Sequence, residues 1–171
     1  MAEYLMTDLS LIGHELEKLA LHLPAGSEIS EKHIEEHIGI SREYNIFELQ
    51  KALAVKDLTK VARIVNNFIS NPKKNPFIVI TSSLAGFFTK VYQIHFLKNK
   101  SDQEVQKVLS LRSSYALREY RAAMRHYPLA KTEEIISYLK TYDLMSKGVQ
   151  YNSVGKEDGS LLKELIYKIL H

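Results

Sequence analysis

Apolar residues along this chain recur every three to four positions, and the polar residues between them stand where helices begin and end. Leu9, Ile12, Leu16 and Leu19 fall at that spacing behind Thr7 or Asp8, which predicts a helix with one apolar stripe and a short polar cap. Val61, Ile64, Val65 and Phe68 repeat the pattern behind Asp57, and Asn71-Pro72 stops it, since proline cannot continue a helix. Asn75-Pro76 opens the next element with Pro76 at its first position, and Phe77, Ile80, Leu84, Phe87, Phe88, Val91 and Ile94 then make a broad apolar stripe. Ser101 with Glu104 reads as a capping box before Val105, Val108 and Leu109, the hydroxyl and the carboxylate each taking one unpaired N–H of the first turn. A tyrosine-rich helix over 114–126, a helix over 131–147 ended by Gly148 and a last helix over 160–170 complete the pattern. No segment alternates with period two, and no Asn-Gly or Asp-Gly turn joins two apolar runs, so the fold class expected is all-α.

The punctuation is densest between residues 29 and 53. Ser30 is placed to cap a short helix, with Ile29 and Ile34 as a hydrophobic staple and Gly39 as the left-handed residue that ends it. Asn45 restarts the chain with Glu48 three residues on, as in a capping box, and Tyr44 and Leu49 repeat the staple. Charge changes at the same place. Residues 1–40 hold Lys18 and Lys32 against eight acids, a balance of −6, whereas residues 41–171 hold 21 bases and 12 acids, a balance of +9. The two signals together predict a small acidic helical bundle over 1–40 and a larger basic helical domain over 41–171.

Composition narrows the function classes. Of 171 residues 45% are hydrophobic and 25% charged, an ordinary globular balance. There is no cysteine, which excludes a disulfide framework, a thiolate metal site and a thiol nucleophile, and fits a reducing compartment. The longest apolar stretch, 76–97, carries Thr81, Ser82, Ser83, Thr89, Lys90, Gln93 and His95 and reads as too polar for a membrane span. No charged segment followed by an apolar core opens the sequence, so a cytoplasmic location is expected.

Candidate chemistry is sparse. His33-Ile34-Glu35-Glu36-His37 has the His-x-x-Glu-His spacing of inverted zinc peptidases, but a zinc site needs a third protein ligand in an open pocket, and a two-turn helix ended at Gly39 offers no scaffold for one. Ser82 and Ser83 lack the strand and glycine elbow of a serine nucleophile. No phosphate-binding loop of the Gly-x-x-x-x-Gly-Lys-Ser/Thr type occurs. The reading is therefore no catalytic residue, no metal and no cofactor. Arg118, Arg121 and Arg125 stand at i, i+3, i+7, beside Tyr115 and Tyr120. That spacing puts three guanidinium groups on one helix face, suited to phosphate contact and base stacking or to a protein partner. Acids such as Glu133 and Glu134 are their alternative partners. Asp143 and Lys147 are spaced for a local i, i+4 ion pair.

The order of these elements resembles the delta subunit of the bacterial DNA polymerase III clamp loader, in its C-terminal lid and collar part. The segments that carry the likeness are Ile29-Ser30 with His33-Ile34, the block Asn45-Ile46-Phe47-Glu48-Leu49, Asp57-Leu58 with Ala62 and Ile64, and Asn75-Pro76. Upstream, Asp8-Leu9 and the run 15–21 are similar to the helix preceding this region in the family. Downstream, Asp143, Lys147-Gly148, Leu161-Leu162 and Leu165-Ile166 also match. The resemblance implies a lid-type bundle of an ATPase-like module over 1–40, without its ATPase-like core domain, and an oligomerisation collar over 41–171. It implies partners too: delta-prime and gamma/tau-type ATPase subunits, with the sliding clamp reached through the family's N-terminal domain and DNA touched indirectly or weakly. No intrinsic activity is expected, only membership of a DNA-directed nucleotidyltransferase holoenzyme. The position at which related ATPases place a γ-phosphate-sensing arginine aligns with Ser10, whose hydroxyl cannot supply a charge-assisted phosphate contact. Two readings from other classes stand beside this one. A stand-alone helical nucleic-acid module would use the basic domain and its arginine face, and a zinc hydrolase would hold metal at His33 and His37.

Overall fold

The computed structural model describes residues 9–24, 26–30, 32–34, 44–97, 101–111, 114–148 and 158–171. Among the described residues there is no strand, and the chain is all-α: α1 (Leu9–His22), α2 (Ile46–Ala54), α3 (Leu58–Ser70), α4 (Phe77–His95), α5 (Asp102–Val108), α6 (Ser114–His126), α7 (Leu129–Ser146) and α8 (Asp158–Leu170). A further helical turn covers residues 32–34.

Helix starts follow the capping chemistry. Asn45 Oδ1 accepts from the backbone N–H groups of Phe47 and Glu48, both at 3.0 Å, so two of the donors left open by α2 are satisfied. Asp57 does the same for α3 through Lys60 N–H at 3.0 Å, and Ser101 for α5 through Glu104 N–H at 3.3 Å. At the turn over 32–34, Ser30 Oγ accepts from His33 N–H while His33 Nδ1 accepts from Ser30 N–H, a capping box with imidazole in the place of a carboxylate. Pro76 departs from expectation by one position. It is the cap residue of α4, extended at φ −61° and ψ 136°, and helical geometry begins at Phe77. Its carbonyl accepts from Val79 and Ile80 N–H. Gly148, at φ +75°, follows the end of α7 in the left-handed conformation that glycine adopts without a Cβ penalty. The expected caps Thr7 and Asp8, and the helix end at Gly39, lie outside the described residues.

The core is built on α4. All seven stripe residues of that helix are buried, and α4 packs along α7, with α6, α2 and α8 also against it. Around this pair α2 lies on α3 and α6, α8 on α7 and α3, and α5 on α6. The buried cluster runs from Leu49 to Ile169. Of the described side chains of α1 none belongs to it: Leu19 is buried outside the cluster, while Leu16 and Leu21 are exposed. Leu16 therefore does not share the burial expected of its stripe. Val108 is likewise exposed, unlike Val105 and Leu109.

By length and composition α4 is apolar enough to cross a membrane, which corrects the reading of residues 76–97 as too polar to do so. Here it is the central helix of the helical core. Its buried Thr81 donates to the carbonyls of Phe77 and Ile78, each at 3.1 Å, which removes the cost of an unpaired hydroxyl. Such a fold is compatible with a soluble protein.

One residue joins most of these elements. Tyr127, fully buried between α6 and α7, donates its hydroxyl to Leu53 O at 2.9 Å at the end of α2. Its ring meets Phe88 of α4 edge to face, with centroids 5.2 Å apart. Its carbonyl lies 3.0 Å from His95 Nε2, so the tautomer protonated there donates to it, and it accepts from Thr132 Oγ1 at 3.2 Å. Lys56, left-handed at φ 53°, sets its ammonium 5.1 Å above the ring centroid and donates to Leu170 O at 3.0 Å, near the end of α8.

Candidate functional site

The corner where α2 runs into α3, facing α6, forms a cleft of about 360 Å³. Its apolar surface comes from Ala52, Ala54 and Val55 at the end of α2 and Ala122 on α6, and its ionisable rim from Glu48, Lys51, Asp57, Lys60, Arg118 and Glu119. Ala52 and Ala54 are both buried, and their small side chains let α2 pack closely on its neighbours.

Glu48 is the electrostatic centre of this cleft. It does more than sit in the first turn of α2, since its two oxygens accept from Lys51 Nζ at 3.0 Å and from Lys60 Nζ of α3. Burial raises its carboxyl pKa, but the hydrogen bonds and charges of Lys60 and Lys51 outweigh that and hold it below the ordinary carboxylate value. Lys51 also lies 3.9 Å from Glu119 Oε1 on α6. The charges of α2, α3 and α6 are thus tied in one chain of ion pairs.

The three arginines of the tyrosine-rich helix share a side of α6 but not a chemical state. Arg121 is half-buried and gives Asp102 Oδ1 of α5 two hydrogen bonds, from Nη2 at 2.8 Å and Nε at 3.2 Å. Its charge is consumed holding α5 on α6. Arg118 and Arg125 are exposed, and among the described residues neither makes an ion pair. Tyr120 is buried rather than offered for stacking. Its ring stacks on Phe87 at 5.1 Å between centroids, and burial, with the neighbouring Glu119 charge, pushes its phenol up to about 12. The side chain of Tyr115 lies outside the described residues. The suggested acidic partners are engaged elsewhere, Glu134 with Lys131 and Glu133 with the hydroxyl of Tyr92.

His33 is taken up by the Ser30 cap, His37 lies outside the described residues, and among the described residues no three His, Asp or Glu side chains gather as metal ligands. Ser83 accepts from Gln50 Nε2 of α2 through its hydroxyl at 2.9 Å and its carbonyl at 3.1 Å, a contact joining α2 to α4. Asp143 and Lys147 form the local pair expected, at 2.6 Å. Sequence reasoning did not single out Lys51, Lys60 or Glu119. Only their gathering from three helices makes them a group. Comparison with family models, curated proteins and solved structures finds no match for this chain.

Proposed function

We propose that this chain is the lid and collar part of a delta-type clamp-loader subunit, which assembles with delta-prime and gamma/tau-type ATPase subunits so that a sliding clamp can be loaded on DNA during replication. The observation that carries the proposal is the order of helix boundaries at the segments of resemblance. Asn45 caps α2, Asp57 caps α3, Asn75-Pro76 precedes α4, Lys147-Gly148 follows α7, and Leu161, Leu162, Leu165 and Ile166 are the buried face of α8. The change of charge at residue 40, from a balance of −6 to one of +9, supports treating residues 1–40 as a lid and 41–171 as a collar.

In this reading the protein works by assembly. The collar packs side by side with its equivalents in a cytoplasmic ring, while the lid turns relative to it as a semi-rigid body. ATP hydrolysis belongs to the partner subunits and clamp contact to the family's N-terminal domain. The test is light scattering on a sizing column, with the chain mixed with delta-prime and the ATPase subunit of the same organism. Co-elution with one copy of the chain per complex is expected. Separate elution, with DNA binding that falls steeply with salt, would instead make this a helical nucleic-acid module.

A further inference from the structure

We propose that two copies of this chain pair through the exposed face of α4, the two helices running antiparallel about a two-fold axis level with Phe87 and Phe88. The inference concerns the chain by itself and does not depend on the clamp-loader reading.

With the apolar stripe of α4 turned to the core, the positions left in water are Val79, Ser82, Gly86, Thr89, Gln93 and Phe96, with Ile78 beside the first. They advance by alternate steps of three and four, the spacing that keeps one seam facing a partner helix over several turns. None of them is charged. The outer faces of α6, α7 and α8 instead carry Arg118 and Arg125, then Glu133, Glu134 and Lys140, then Lys163. Lys90 of α4 is half-buried off this strip, with its ammonium 5.9 Å from the ring centroid of Tyr120 on α6. Neighbouring helices border the strip without covering it: Gln50 of α2 reaches Ser83 along one edge, and Glu133 of α7 reaches the hydroxyl of Tyr92 along the other.

The arrangement of the strip says what covers it. Val79 and Phe96, at its two ends, are 55% and 59% exposed, and the helix rise puts them about 26 Å apart. A membrane or a small apolar ligand would meet two separate patches, with the polar groups of Ser82, Thr89 and Gln93 between them left without partners. A second copy of the same face, turned end for end, meets every position with a suitable one. Val79 comes opposite the partner's Phe96, Ser82 opposite the partner's Gln93 and Gly86 opposite the partner's Thr89, because the members of each pair are equally far from the midpoint between Phe87 and Phe88. Contact of this self-complementary kind is what a two-fold dimer requires. The Ser82 hydroxyl and the partner's Gln93 amide can hydrogen-bond, and the opposed helix dipoles attract. Space exists at the centre, since a Cβ added at Gly86 meets no atom within 4 Å. Phe96 is held in place beforehand by the Tyr92 ring, with centroids 4.9 Å apart. A helix of 19 residues is about 28 Å long, and two laid face to face bury on the order of 1,000 Å² in total, near the lower bound of specific interfaces. The dimer should therefore have a Kd on the order of ten micromolar.

Sedimentation equilibrium of the 171-residue chain alone, from about one to several hundred micromolar, should show monomer passing to dimer. Gly86→Arg sets a charged side chain at the centre of the face and should raise the Kd at least about thirtyfold. Its thermal melt should be no lower than that of wild type, because glycine is the poorer helix former. Arg63→Glu, on the outer face of α3, should dimerise as wild type does. The sequence holds no cysteine, so introduced thiols report the orientation: a short bis-maleimide should link Ser82→Cys to Gln93→Cys in a mixture and leave each variant alone unlinked. A wild-type chain that stays monomeric throughout overturns the proposal, and binding of that monomer to phosphatidylcholine vesicles would assign the face to a membrane. Wild-type dimerisation by Gly86→Arg, or linking of Ser82→Cys to itself, overturns it as well.

Discussion

Two regions of this molecule solve the problem of polar groups among apolar ones in opposite ways. Around Tyr127 every polar group meets a backbone carbonyl: the phenol reaches Leu53 O, Thr132 reaches Tyr127 O, and Lys56 reaches Leu170 O. At the cleft, side chains meet side chains, with Glu48 shared between two lysines and Lys51 shared between two acids. The first arrangement is neutral apart from the half-buried Lys56, and its Tyr127 and Thr132 are fully buried. The second is charged and partly hydrated, so its energy depends on pH and ionic strength. The node around Tyr127 ties the helices together mainly through backbone acceptors, and the cleft ties them through charge.

Mutation of Tyr127 should break the comparison most strongly. Removing its ring in Tyr127→Ala empties a site that α2, α4 and α7 all border, and unfolding free energy in urea should fall by about 3–5 kcal/mol. Tyr127→Phe keeps the ring and removes only the hydroxyl. Leu53 O retains the N–H of Lys56, so the loss should be about 1 kcal/mol, and a loss as large as that of alanine would mean the hydrogen bond dominates the node.

Glu48→Gln tests the other region, with an expected cost of about 1 kcal/mol at neutral pH and low salt. Because the folded carboxyl titrates below its ordinary value of 4.5, its contribution is complete above that pH and is lost as pH falls through the folded value. Wild type and Glu48→Gln should therefore differ at pH 7 and converge in acid. A difference that persists in acid would show that packing, not charge, sets the cost. Asp143→Asn, at an isolated pair with a half-exposed lysine, sets the scale at the small end: a few tenths of a kcal/mol, read by the same urea titration.

The same contrast explains what could be read from the sequence. Helix identity and boundaries depend on neighbours within four residues, so the stripe of α4, the Asn45 and Asp57 caps and the limits of α6 were all legible. Pro76 slipped by one because proline is acceptable both at the cap and just inside it. Leu16 and Val108 show that periodicity finds a face but does not say whether another element covers it. The arginine face was visible as spacing, yet the fate of Arg121 was decided by Asp102, which reaches it only because α5 folds back on α6. The cleft was hidden for the same reason. Residues 48–60 and 118–122 meet through packing of three helices, and no local pattern encodes that meeting.

Lys56 carries one more consequence, for the order of events during synthesis. The carbonyl it grips belongs to Leu170, and Leu161, Leu162, Leu165, Ile166 and Ile169 of α8 fill the gap beside α3 and α7. Helices α2 to α7 thus emerge from the ribosome with an apolar trough still open, and only the arrival of residues 158–170 can close it. Until then the faces of α3 and α7 that α8 covers stay in water, which is the kind of transient apolar exposure that makes a partly folded chain prone to aggregate.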